Sequence, residues 1–241
     1  MSKLNDSWTV QPHGPIEPVD EGLLSVAGEI TMPLGNFPRR MTVVGLSGGR
    51  TAIWSAIPLN EPAMREIEAL GAPSFLIVPG IAHRLDIRPW KQRYPQAKIV
   101  CPAGAAEAVA EAVPVDAIND IFGDPTVRFE TVDGVGGKEA ALHVRRAGGV
   151  SLLLNDILAN VAHPHGLGAK VMARVMGFGV DEPSMPWVGK RMFVEDKAAL
   201  AADFRRWADE PALARIIVSH GDVIDEDPKG VLLQIAGELE N

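Results

Sequence analysis

From Arg40 onward, apolar and polar positions fall into short, regular runs. MTVVGL and RTAIWSAI are two β-rich runs on either side of Ser47, Gly48 and Gly49, which predicts a hairpin. Pro62 followed by AMREIEALG puts proline in a first helical turn, apolar residues at helical spacing and Gly71 at the stop. The next run, SFLIVPG, is rich in β-formers and reads as a strand buried on both faces, so a β-α-β crossover is expected. The same grammar repeats with a helix over Ile87–Tyr94, a strand in AKIVCP and an Ala-rich helix over Ala105–Ala112.

Three further strands, Val127–Val132, Ala140–Arg145 and Val150–Leu154, are separated by glycine-containing turns and predict an antiparallel meander. Helical patterns follow at Leu167–Met176 and Lys197–Ala208. RIIVSHGDVI then reads as a strand running into a polar loop, and a helix over Lys229–Leu239 completes the pattern. The residues before this region mix proline, glycine and charge around one short apolar piece, Gly22–Val26. They predict an arm over residues 1–39 lying on a single domain of residues 40–241. Alternating helices and strands followed by a meander, without internal repeats, predict a mixed α/β sandwich.

Composition narrows the function classes. The 241 residues are 46% hydrophobic, enough for a substantial core in one domain. A formal charge of −8 disfavours phosphate backbones and anionic lipid, so neither nucleic acid nor membrane is an expected partner. The single cysteine, Cys101, excludes an intramolecular disulfide, a thiolate zinc cluster and a CxxC redox pair, and it follows a buried strand as an inert thiol. The first 30 residues carry prolines and acidic side chains where a secretory leader needs a basic start and an apolar run, so a cytoplasmic location is expected.

In α/β sheets, ligands bind beyond the carboxyl ends of the strands. SFLIVP leads to His83 and Asp86, VSLLL to Asn155 and Asp156, and RIIVS to His220 and Asp222. Imidazole and carboxylate groups arriving from separate strands suit zinc, iron or manganese, or general acid–base work. For each residue taken singly, a helix cap or a satisfied turn is the competing role. GLSGG and GVGG lack the spacing and the lysine of nucleotide loops and read as hairpin turns, and Ser219 lacks a nucleophile elbow. Trp54, Trp90, Trp187 and Trp207 are too scattered for a stacking platform and read as packing.

RRMTVVGLSGGRTAIWSAIPL, APSFLIVPGIAHRLDIRPWKQRYPQAKIVCPAG, LLLND and RIIVSHGDVI, in that order, resemble the bacterial DUF4336 family, a branch of the metallo-β-lactamase-like superfamily. The resemblance implies an αββα sandwich of two mixed sheets flanked by helices, with metal ligands on loops at one edge. It implies that Asp156 matches the metal-bridging carboxylate and His220 the last histidine ligand. The superfamily's His-x-His-x-Asp-His loop is AHRLDI here, keeping His83 and Asp86 without the other histidines. The turn that should carry a further histidine, TVDGVGGK, has none.

These departures predict a reduced site in which His83, Asp86, Asp156 and His220 hold one divalent metal, with Asp156 and His220 catalytic. The expected activity is metal-dependent hydrolysis of a small molecule. The alternatives are a metal-free member that binds a small molecule or a partner, and a metal-free acid–base enzyme built on an Asp156–His220 dyad. His163 and His165 in AHPHG read as a surface loop before a helix, although a His-x-His pair could supply replacement ligands. His143 lies within a strand and His13 in the arm.

Overall fold

Strands buried continuously along their length send successive side chains to two packing surfaces. A computed structural model describes residues 4–32, 35–162, 174 and 177–240. A six-stranded sheet runs in chain order through β1 (His13–Asp20), β2 (Leu23–Met32), β3 (Gly35–Leu46), β4 (Arg50–Trp54), β5 (Ala72–Ile77) and β6 (Lys98–Val100). A four-stranded sheet contains β7 (Val127–Thr131), β8 (Ala140–Arg146), β9 (Gly149–Leu154) and β10 (Leu213–Val218), in the order β10-β9-β8-β7. The pairs β4–β5, β5–β6 and β9–β10 are parallel and the others antiparallel.

The sheets face each other. Ala52 and Trp54 of β4, Phe75 and Ile77 of β5, Leu153 of β9 and Ile217 of β10 share one buried cluster between the sheets. Their sequence neighbours point outward, as the two-residue period of a strand requires. Ile53 and Leu76 meet the outer helices α1 (Glu61–Leu70), α2 (Ile87–Arg93) and α3 (Ala106–Ala110). On the other side, Leu152, Leu154, Ile216 and Val218 pack against α4 (Trp187–Phe193), α5 (Lys197–Ala208) and α6 (Pro228–Glu240). The result is a helix–sheet–sheet–helix sandwich, the architecture the resemblance implies. Among the described residues, no helix is long and apolar enough to cross a membrane.

Local signals placed most elements correctly. Asn60 caps α1 by accepting from the Ala63 N–H at 3.0 Å, and Asp196 caps α5 by accepting from Ala198 and Ala199. Each such cap contributes about 1 kcal/mol. The predicted hairpin is β3–β4, the crossovers are β4-α1-β5 and β5-α2-β6, and the meander is β7-β8-β9. The Ala-rich run opens as a 3-10 turn over Ala103–Ala105 before its α-helical part. The helix expected over Leu167–Met176 lies outside the described residues, apart from Arg174.

The N-terminal region departs from its expected form. Instead of lying over the domain as an arm, residues 13–32 supply β1 and β2, and β2 pairs with β3 along its whole length. The pattern concealed this for two reasons. Pro15 and Pro18 sit in β1, an edge strand where a missing N–H leaves no ladder partner unsatisfied. In β2 a fully buried position is taken by Ser25, whose hydroxyl accepts from Arg40 Nη1 at 2.7 Å, so a polar residue occupies a core place.

Candidate metal centre

The carboxyl ends of β4, β5, β9 and β10 open on the same edge of the sandwich. Beyond β5, the turn after Pro79 and Gly80 presents His83, β9 runs directly into Asn155 and Asp156, and β10 into Ser219 and His220. Links between the sheets fix this edge. The Arg40 N–H donates to Ser219 O at 2.8 Å, and Trp54 Nε1 donates to Ser219 Oγ at 3.1 Å. Gly221 follows His220 with φ of 107°, and a Cβ there would sit 1.9 Å from Asn160 O, so only glycine lets the chain turn at this point. On the opposite side, α4 approaches so closely that a Cβ on Gly189 would lie 2.9 Å from Asp156 O.

Three predicted ligands meet. His220 Nε2 lies 2.9 Å from Asp156 Oδ1, His83 Nε2 lies 3.3 Å from the same oxygen, and the two Nε2 atoms are 3.1 Å apart. Their side chains are 7%, 13% and 8% exposed for His220, Asp156 and His83, which removes them from bulk water. Among the described residues this is the one cluster of histidine and acidic groups close enough to share an ion.

The partners behind the trio set its protonation. Pro38 O, 2.8 Å from His220 Nδ1, can only accept, so Nδ1 carries a proton and Nε2 is the ring nitrogen turned toward Asp156. Ser55 Oγ is 2.8 Å from His83 Nδ1 and serves that ring in either tautomer. Ser55 holds a left-handed backbone at φ 55°, a conformation a non-glycine residue adopts at a cost. Burial lowers the His83 pKa, with Asp156 opposing it. Burial alone would raise the Asp156 pKa, but the two imidazoles bring it far below the ordinary carboxylate range.

Three acceptor atoms facing one another at these distances require either added protons or a cation between them. A tetrahedral ion with bonds of about 2.0–2.1 Å separates its ligand atoms by about 3.3–3.4 Å, so the trio needs to open by only a few tenths of an ångström. Two imidazoles and a carboxylate with an open fourth position are a donor set suited to zinc or a similar divalent ion. The residues present fit a single metal.

Asp86, expected as a fourth ligand, lies outside that cluster. It is buried in the wall of the same cavity, where its Oδ2 pairs with Arg39 Nη1 at 2.5 Å and its Oδ1 accepts from Asn5 Nδ2 at 2.7 Å. Asp222 sits near Arg40 at 3.9 Å, also outside the trio. Arg84, next to His83, turns away to Glu111 at 2.6 Å and to the Ala108 carbonyl. His143 contacts Glu130 at 2.9 Å on the other face of its sheet, and His13 lies on β1. His163 and His165 lie outside the described residues. Burial pushes the Cys101 thiol up to about 11, which agrees with an inert role.

Sequence reasoning missed several supporting residues. Glu139 is fully buried, and its Oε2 accepts from the Asp156 N–H at 3.1 Å and from Asn155 Nδ2 at 3.0 Å, which anchors the loop that presents Asp156. Burial, and then the negative Asp156 beside it, raise its pKa well above the usual range. Ser55, Pro38 and Arg39 were equally hidden, because no local motif marks a serine or a backbone carbonyl that will meet a histidine from a distant loop.

Above the trio stands a cavity of about 340 Å³ whose walls are largely apolar, including Phe37, Leu85, Phe178 and Phe193. Phe37 and Phe178 stack edge-on with ring centroids 4.7 Å apart, and both contact the His220 ring, at 4.9 and 5.8 Å.

No protein-family profile and no curated protein matches this chain. Solved structures do. The metallo-β-lactamase FIM-1 from Pseudomonas aeruginosa, in its mono-zinc form, superposes with a TM-score of 0.62 at 11% identity over 96% of this chain and 98% of that one. The fold is that of the metallo-β-lactamases. DIM-1 gives 0.62 at 12% identity over 95% and 99% of the two chains. The metallo-β-lactamase from Erythrobacter litoralis gives 0.60 at 14% over 92% and 96%. At these identities the likeness is one of fold, and the chemistry of this metallo-β-lactamase-fold protein rests on its own residues.

Proposed function

We propose that the protein is a metal-dependent hydrolase with a reduced site, in which His83, Asp156 and His220 hold one divalent ion at the floor of the apolar cavity. The convergence of their three ligand atoms within 2.9–3.3 Å supports the reading most strongly. The mono-zinc form of FIM-1, a protein of the same fold, makes zinc the first metal to test. The sequence pattern further aligns the chain with the DUF4336 branch of the superfamily.

A divalent ion at such a site supplies Lewis acidity, polarising a carbonyl or phosphoryl oxygen and acidifying water. The protein's own groups do the positioning. Pro38 O and Ser55 Oγ orient the two imidazoles, as outer partners of ligating histidines do. Glu139 holds the Asp156 backbone, and the Phe37–Phe178 pair screens His220 from water. Asp156 and His220 are the groups in this reading that face the reacting atoms.

Metal analysis of protein purified without an affinity tag tests the proposal. About one equivalent of zinc, iron or manganese is expected, lost in both His220→Ala and Asp156→Ala, with a chelator lowering the thermal midpoint. One observation favours a second reading. A proton on His220 Nε2 would close the 2.9 Å contact with Asp156 as an ion pair, leaving a metal-free pocket for a small molecule. Absence of metal in every preparation, with chelator-independent stability, would select that pocket over the hydrolase.

A further inference from the structure

The cavity above the trio specifies the kind of molecule it accepts. Above the polar trio its walls are largely apolar, and Met192, 61% exposed, lies at the open side of the lining. Charge in the cavity wall is paired or shielded. Arg39 is paired with Asp86 through Nη1, and its other nitrogens, Nε and Nη2, have no hydrogen-bond partner but are occluded from solvent. Asp156 is paired with the imidazoles. Among the described residues, then, no accessible cation lines the walls to receive an anionic tail. A charged or hydroxylated tail would be stripped of water without a partner.

We infer that the ligand is an uncharged acyl compound, an ester or lactone with its carbonyl at the His83–Asp156–His220 floor and an apolar chain running over Phe37 and Phe178 toward Met192. This rests on the hydrolase reading for the chemistry, but the selection of the chain rests on the cavity alone. In the hydrolysis, the water oxygen bonds to the acyl carbon and the acyl C–O bond breaks. The water's protons are shared between the new carboxylic acid and the leaving alcohol, or the freed hydroxyl of an opened lactone. Neither oxidant nor reductant is required. At ~30 Å³ per group, similar to the share of a liquid water, the cavity holds about ten non-hydrogen groups.

The test uses linear methyl ketones, which present the same carbonyl and cannot be hydrolysed, titrated calorimetrically into the full-length protein as purified. From 2-pentanone upward, affinity is expected to rise about fourfold per methylene and to level off near ten non-hydrogen groups. 7-Hydroxyheptan-2-one should bind about tenfold more weakly than 2-heptanone. Met192→Lys, at an exposed position that leaves the core intact, should weaken the longest ketones about tenfold and leave 2-pentanone unchanged. Affinity independent of chain length, or a hydroxylated ketone binding as well as its parent, overturns the inference. Metal content of the same preparation separates the two ideas. Graded ketone binding without metal removes the hydrolase and keeps the apolar selectivity, whereas metal with flat ketone binding does the reverse.

Discussion

Removing the Asp86 carboxylate separates two roles for that residue, metal ligand and partner of a buried arginine. Arg39 is 5% exposed and Asp86 is 2% exposed, with 2.5 Å between Nη1 and Oδ2. Asp86→Ala leaves a guanidinium in a dry wall with no counter-charge, and breaking a buried pair in this way costs about 3–5 kcal/mol. For a domain of this size, that lowers the thermal midpoint by roughly 6–20 °C. Replacing both partners with apolar groups of similar volume, Arg39→Met with Asp86→Leu, should return stability to within about 1–2 kcal/mol of the parent, because the penalty of desolvating the charges disappears with them. Urea unfolding of the parent, both single variants and the double variant gives the cycle, and metal content is measured on each folded protein. The expected outcome is an unstable single variant, a recovered double variant and one equivalent of metal throughout. A single variant within about 1 kcal/mol of the parent, or a folded double variant that has lost its metal, would refute the assignment of Asp86 to the ion pair.

Three other substitutions test the support around the site. Ser55→Ala removes the Oγ contact with His83 Nδ1 and should weaken metal affinity about tenfold in a competition titration with a chromogenic chelator, with little change in fold. Glu139→Ala strands the Asp156 N–H and Asn155 Nδ2 in a dry environment and should cost about 2–4 kcal/mol in urea unfolding. Far from the site, burial alone would raise the Asp124 pKa, but the Ser47 N–H and the Thr126 N–H and hydroxyl outweigh it and bring the carboxyl from 3.8 down to about 2. A depressed acid stabilises the fold above its unfolded pKa and loses that contribution as pH falls through the folded value, here between pH 3.8 and about 2. Asp124→Asn should flatten acid unfolding in that window when followed by circular dichroism, and an unchanged acid limb would count against the hydrogen bonds as its source.

Much of this protein is written locally. The β-rich apolar runs of RTAIW and SFLIV, the Asn60 and Asp196 caps and the glycines of the β3–β4 turn each encode an element within a few residues. Strand ends carrying His83, Asp156 and His220 were therefore legible from the sequence, because a buried strand and the polar loop beyond it are adjacent in the chain. Tertiary structure decided what those ends meet. Asp86 looks like a ligand beside His83, yet Arg39, 47 positions earlier in the chain, neutralises it. Ser55, Pro38 and Glu139 acquire their roles only when β4, β3 and β8 bring them to loops distant in sequence. Prolines on an edge strand and a buried serine satisfied by an arginine likewise hid β1 and β2. The physical reason is common to all of these cases. Hydrophobic period and capping act over one or two turns of chain, whereas the neutralisation of a buried charge and the orientation of an imidazole depend on partners that only packing selects.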